Sequence, residues 1–348
     1  MRSPAYKAEI KRRSRGVVDS RLRLYTDDFF RIPLLLPDLK EQQAIVRFVR
    51  DLDGKVRRFI RNRRRLIEVL NEQKQAIINR AVTRGLDPDV PLKPSGSEWI
   101  GDIPEHWDAT TLGRLVTTFK TGPFGSILHQ SDYIPGGTPL INPVHMSGGR
   151  ITPDVNCAVD DATFHRLREY ALVEGDIVFS RRGELGRCAL VRKEESGWLF
   201  GTGSIRARLI PNMVNKDFLI AALHGRWVAE YLSLMSVGAT MQSLNTGILS
   251  RLPLPLPPIN EQMRIPELIK DESALVDKVV AKAKHEIDLI REYRTRLISD
   301  VVTGKVDVRH LAPPPGREDL EDMVEELETL GEAAGELSED AFAGKVDI

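Results

Sequence analysis

Residues 32–42 read IPLLLPDLKEQ, and residues 252–262 read LPLPLPPINEQ. The offset of 220 persists without a gap, because Val82-Thr83 falls on Val302-Thr303 and Asp87 on Asp307. Upstream, Leu24 falls on Leu244 and Arg31 on Arg251, while Tyr6 and Gly16 resemble Trp227 and Gly238 after small shifts. The chain therefore contains an internal repeat. One unit ends near residue 87 and is present only as its C-terminal part. A complete second unit runs from about 88 to 307. Each copy opens with a Pro-punctuated apolar strand, Ile32–Leu36 and Leu252–Leu256, which prolines confine to a sheet edge or extended segment.

A long helix follows each strand. In the first copy Ile45, Val49, Leu52, Val56, Phe59, Leu66, Leu70 and Ile77 step by four and three, with Arg63 and Gln73 at two seam positions. In the second copy Val276, Val280, Ala283, Ile287, Ile290, Leu297 and Val301 repeat the pattern, interrupted by Arg294. Such heptads predict two helices, about 39–82 and 260–302, packed antiparallel as a coiled coil. At 1.5 Å per residue the first would be roughly 66 Å long. A spacer fits that length, and a dimerisation arm is the alternative. Pro266 predicts either a start near Ile265 or a kink.

Outside the helices the pattern changes. Residues 84–107 are rich in Pro, Gly and Asp, and read as a linker. Between Trp107 and Arg251, short apolar runs at Ile177–Phe179, Ala189–Val191 and Ile205–Ile210 predict strands, and Phe218–Met235 predicts a helix. The fold class is α+β: one mixed α/β domain plus two long antiparallel coiled-coil helices. The segments are 1–37, a remnant of a first globular domain; 38–86, the first spacer helix; 87–106, the linker; 107–258, the second globular domain; 259–307, the second spacer helix; and 308–348, an acidic tail read as disordered.

The formal net charge is zero, yet residues 1–80 carry 21 Lys and Arg against 10 Asp and Glu, and residues 311–348 carry 2 against 12. The basic front suits either an anionic partner or a solvated helix face. There is no apolar run of membrane-spanning length and no secretory signal in MRSPAYKAEIKRR. Cys157 and Cys188 cannot build a disulfide framework. A cytoplasmic location follows as the expectation.

Catalytic motifs are missing. The sequence has no GxxxxGK[ST], HExxH or CxxC, and His106, His129 and His145 lack ligand spacing. Phe200-Gly201-Thr202-Gly203 weakly resembles a glycine turn for S-adenosylmethionine, but a strand pattern follows it rather than a helix. No catalytic residue and no metal site is expected. Donors on turns stand out instead. Lys120, Thr121, Phe124 and Ser126 surround one Gly-rich turn, and Arg181, Arg182 and Arg187 another. Arginine pairs with guanine edges, and amides such as Gln242 and Asn245 pair with adenine. For each alone, an ordinary exposed turn residue is the alternative.

The doubled L-P-x-x-x-E-Q junction, the helix ends VTRGLD (82–87) and VTGKVD (302–307), GDIVFSRRGELG (175–186), TGPFGS (121–126) and WIGDIPEHW (99–107) together resemble DNA-sequence specificity subunits of type I restriction-modification enzymes. The resemblance covers residues 1 to about 308. It implies two recognition domains separated by antiparallel helices, each reading half of a bipartite duplex DNA target. It also implies a non-catalytic chain that docks methyltransferase and motor-nuclease restriction subunits. Those partners would carry S-adenosylmethionine, ATP and Mg, and the complex would be an adenine-specific DNA methyltransferase and ATP-dependent endonuclease. The junctions at Glu41-Gln42 and Glu261-Gln262 are the expected docking points. The pattern leaves the first recognition domain mostly missing, so the chain reads as a disrupted subunit or as a half-subunit that forms a homodimer. A coiled-coil scaffold without DNA readout and an enzyme with an unrecognised site are the remaining alternatives.

Overall fold

The computed structural model describes residues 4–15, 22–33, 36–124, 127–236, 244–311 and 313. Ser126, Gln242, Leu34-Leu35 and the acidic tail from 314 onward lie outside the described residues. The chain divides into two compact units, Met1–Glu68 with Val279–Ile348, and Val69–Lys278. The elements, in chain order, begin with helices α1 (Pro4–Arg13), α2 (Thr26–Phe30) and α3 (Leu39–Arg84), then strands β1 (Leu92–Pro94), β2 (Asp102–Pro104) and β3 (Asp108–Thr111). Helix α4 (Leu112–Leu115) and strands β4 (Val116–Thr121), β5 (Tyr133–Ile134), β6 (Thr138–Ile141), β7 (Met146–Ser147), β8 (Arg150–Ile151) and β9 (Ala158–Val159) follow. Next come α5 (Asp161–Leu167), β10 (Ile177–Ser180), β11 (Cys188–Leu190), β12 (Leu199–Phe200) and β13 (Ser204–Leu209). The last are α6 (Lys216–Leu223), α7 (Arg226–Met235), α8 (Thr246–Ser250), β14 (Pro253–Leu256) and α9 (Ile259–Val302).

In the first unit, α3 is capped at its start by Asp38, whose carboxylate accepts the Glu41 N–H at 2.9 Å. Val56 on α3 and Ala283 and Ile287 on α9 are buried. Asp53 pairs with Arg294 at 2.7 Å and Arg63 with Glu286 at 2.7 Å. One partner number rises as the other falls, so the two helices run antiparallel here. Ile32, Pro33 and Leu36 are not in a strand. In the second copy the matching stretch is β14, a strand paired antiparallel with β3.

In the second unit the helices are again antiparallel, with Lys74 paired to Asp277 at 2.6 Å and Arg80 to Glu272. Helix α9 begins at Ile259 and runs through Pro266, so the later start near Ile265 is overturned. Pro266 has no N–H, which leaves the Gln262 carbonyl without its helical donor. The segment 87–106, expected as a linker, is folded. Strands β1 and β2 form an antiparallel hairpin, and Ile100 and Ile103 enter the core. The single helix expected over Phe218–Met235 is two helices, broken at His224-Gly225. A Cβ at Gly225 would sit 1.9 Å from the Trp227 ring, and that ring donates its N–H to the Pro253 carbonyl at 3.2 Å. Packing of Trp227 onto β14 thus breaks the helix.

Two four-stranded sheets carry this unit, in the orders β11-β10-β13-β4 and β12-β6-β9-β5. Strand β10 explains its own sequence. Ile177 and Phe179 enter one core with α6, α7 and α8, while Val178 enters a second with Leu140, Ile141 and Phe200. Both faces are covered, so the strand reads as a continuous apolar run rather than an alternating one.

Candidate nucleic-acid interface

Strand β10 ends where the polar donors begin. The Arg181 N–H donates to the Gly203 carbonyl at 2.7 Å, and the Arg181 carbonyl accepts the Leu244 N–H at 2.8 Å. The Gly122 N–H donates to the Ser204 carbonyl at 2.9 Å. Segments near 122, 181, 203 and 244 therefore meet at one end of the β10-β13-β4 sheet. Glycine is required for that approach: a Cβ on Gly122 would lie 1.9 Å from the Gly201 carbonyl oxygen. The turn after β10 uses Gly183 and Gly186 at φ +77° and +90°. The Ser180 hydroxyl donates to the Arg182 carbonyl at 2.6 Å and holds that turn.

On this frame Arg181 stacks over the Phe124 ring, with Cζ 5.8 Å from its centroid. Phe124 is 57% exposed. Arg182 is exposed and Thr121 half-buried. Arg187 is partly engaged, donating to the Pro143 carbonyl at 3.2 Å and pairing with Glu184. These residues are brought together.

The other candidates are placed differently. Lys120 pairs with Glu169 at 2.7 Å and lies 4.6 Å from the Tyr170 centroid. That lysine holds the Glu169 carboxyl below its ordinary range. Asn245 caps α8, its Oδ1 accepting the Ile248 N–H at 2.9 Å, so its acceptor is already used. Sequence reasoning missed Arg206, which is 6% exposed, lies over Phe200, and carries an Nε without a partner. Burial lowers its pKa. Its place on an apolar strand, IRARL, gave no signal of this. Burial also pushes Cys188 up to about 12 and raises Cys157, so both thiols stay protonated. Among the described residues, no group of His, Cys, Asp and Glu side chains is arranged to hold a metal. No helix among them is long and apolar enough to cross a membrane.

The junctions also differ from expectation. Glu261 accepts from Trp107 Nε1 at 3.0 Å and lies 2.6 Å from His106 Nε2. Gln262 is 3% exposed; its Oε1 accepts the Asn215 N–H at 2.8 Å and its Nε2 donates to the Pro257 carbonyl at 2.7 Å. The expectation of a docking role for Gln262 is corrected, because a buried amide with both ends bonded offers no surface. Gln42 donates to the Pro37 carbonyl at 2.8 Å, and both Glu41 and Gln42 are half-buried.

Residues 104–287 match the family of the type I restriction modification DNA specificity domain. That match covers more than half of the chain. The chain belongs to this family. It is 24% identical over 288 residues to the type I restriction enzyme MjaVIII specificity subunit of Methanocaldococcus jannaschii, covering 81% of this chain and 64% of that one. It is 22% identical over 288 residues to the EcoBI specificity subunit of Escherichia coli, covering 81% and 60%. The chain thus spans less than two thirds of the length of these relatives. A solved chain from work on complex assembly and conformational transition of the type I R-M system shares the fold, with a TM-score of 0.57 and 18% identity, covering 88% of this chain and 70% of that one. Within the specificity domain, the donor-bearing edge of the β10-β13-β4 sheet sets an exposed arginine, Arg182, and half-buried Arg181 beside the exposed Phe124 ring.

Proposed function

We propose that this chain is a non-catalytic subunit that reads one half-site of duplex DNA for a type I restriction-modification complex. The observation that carries the reading is Arg181 stacked on exposed Phe124 beside exposed Arg182, on loops pinned by backbone hydrogen bonds. A rigid turn presenting two arginines suits phosphate or guanine contact. Thr121 and Arg187 flank it, and Ser126 and Gln242 belong to the same loops by sequence. Lys120 is drawn to Glu169, and Asn245 spends its side-chain oxygen on the cap of α8.

Methylation and cleavage belong, in this reading, to partner subunits that supply S-adenosylmethionine, ATP and Mg. They dock along the helix pair near Glu41, in the cytoplasm. A bipartite target needs a second recognition domain, which a second copy of this chain would provide. Arg181→Ala/Arg182→Ala tests the site in a DNA shift assay with the cognate methyltransferase. Binding should weaken by about tenfold or more, with the salt slope falling by about one for each phosphate no longer neutralised. Unchanged binding would remove these residues from the interface. Light scattering of that complex checks the copy number.

A further inference from the structure

Helix α3 carries a second concentration of positive charge that the recognition loops do not use. Arg57, Arg58, Arg61, Arg64 and Arg65 are all exposed. At about 100° per residue they fall within an arc of about 120°, and Arg47 falls in the same arc. Buried Val56 lies on the far side of the helix from that arc. The stripe is therefore a solvent face and not part of the seam with α9. Among the described residues, Arg57, Arg58 and Arg64 make no ion pair, and Arg65 pairs only with its neighbour Glu68 at 3.2 Å. Five arginines along one helix face repel one another, and such a face is stabilised by an anionic cover.

The other end of the chain meets this stripe at its head. Arg47 donates to the Pro313 carbonyl at 3.2 Å. Just before it, Arg309 pairs with Asp307 at 2.6 Å and feels the charges of Glu41 and Asp38 at the start of α3. The chain thus leaves its last described residue on the arginine face, about 15 Å of helix from Arg57. The 35 residues that follow carry 12 acidic side chains against Arg317 and Lys345. Glu318, Glu321, Glu325, Glu328 and Glu332 recur at spacings of three and four, the spacing that one face of a helix would present.

We infer that the acidic segment 314–348 docks on the arginine stripe of α3, within the same chain. Three facts converge on that occupant: its opposite charge, its matching periodicity, and its point of departure on Arg47. A tethered segment acts at high effective concentration, so weak individual pairs suffice. The docked tail withholds the stripe from other polyanions, and it lets go as salt rises, because the pairs are exposed.

The test uses the full chain and a Glu-specific protease, with cleavage inside 318–336 followed by intact mass. At about 50 mM salt, Arg57→Glu/Arg58→Glu/Arg64→Glu should be cut about threefold or more faster than the unaltered chain, since cleavage follows the open population. At about 1 M salt, where screening acts within about 3 Å, the two rates should converge. Arg57→Gln/Arg58→Gln/Arg64→Gln, which removes charge without adding any, should give a smaller acceleration in the same direction. Circular dichroism at about 1 M salt, where the tail is released in all three chains, should show them equally helical. Equal cleavage rates at low salt in both variants would overturn the inference. So would variants that weaken binding of a random-sequence duplex while leaving tail cleavage unchanged, since the stripe would then belong to DNA.

Discussion

The two copies of the strand-to-helix junction share a sequence and differ in how tightly they are closed. Gln262 and Gln42 make the same bond, from the amide to a proline carbonyl five residues earlier, at 2.7 and 2.8 Å. At the second junction that bond is one strand of a buried clasp. Asn215 donates to the other end of Gln262, and Trp107 and His106 close on Glu261. Gly85, at φ +76°, ends α3 against the Trp107 ring, where a Cβ would come within 2.8 Å. At the first junction, among the described residues, no side chain donates to the Glu41 carboxylate. The EQ pair is thus a general helix-start fastener. A folded recognition domain, which brings Trp107 and Asn215 to it, turns the fastener into a structural lock.

The largest test of that contrast is Trp107→Ala. Trp107 is fully buried, and its removal should cost about 3–5 kcal/mol, measured as a lower denaturant midpoint. A change within error would break the comparison. Next, Gln262→Ala should cost about 1–3 kcal/mol, because the Asn215 N–H and Pro257 carbonyl are left buried without partners. Gln42→Ala should cost less than about 1 kcal/mol, since Gln42 and Pro37 are only half-buried and water can replace the lost bond. Equal costs would mean that both junctions are locked alike.

The smallest effect belongs to Asp307, in the unit of the open junction. The Arg309 side chain, then its backbone N–H, hold the Asp307 carboxyl well below the usual carboxylate range. A lowered folded value means a contribution present above the unfolded value of about 3.9 and lost as pH falls through the folded one. Thermal midpoints of Asp307→Asn and the unaltered chain should therefore differ slightly near neutral pH and converge in strong acid. High salt should also erase the difference, because the pair is exposed.

Periodicity carried the reading of the helices, and it did so for a physical reason. A helix that buries one narrow seam must repeat its apolar residues by three and four, and α3 and α9 do. Strand β10 was legible for the complementary reason, as a run buried on both faces. The segment 87–106 misled because its prolines and glycines outweigh Trp99, Ile100 and Ile103 in composition, while those three residues decide where it packs. The helix 218–235 was read whole because the break comes from Trp227 meeting β14, a contact across sequence that no local pattern records.

For the candidate interface, residue type and turn chemistry singled out Phe124, Arg181 and Arg182 together with Lys120 and Asn245, with no signal of which would find partners within the chain. Local sequence determined the internal repeat, the two long helices and the Gly-rich turns, because each depends on spacing within a few residues. Tertiary structure alone decided which cations stay exposed, because that depends on whether a distant carboxylate or ring reaches them first. Glu169 and Tyr170 reach Lys120, while Asn245 remains exposed and uses its side-chain oxygen to cap the helix that follows it. Arg182 is left exposed, and Arg181 is stacked on an exposed ring.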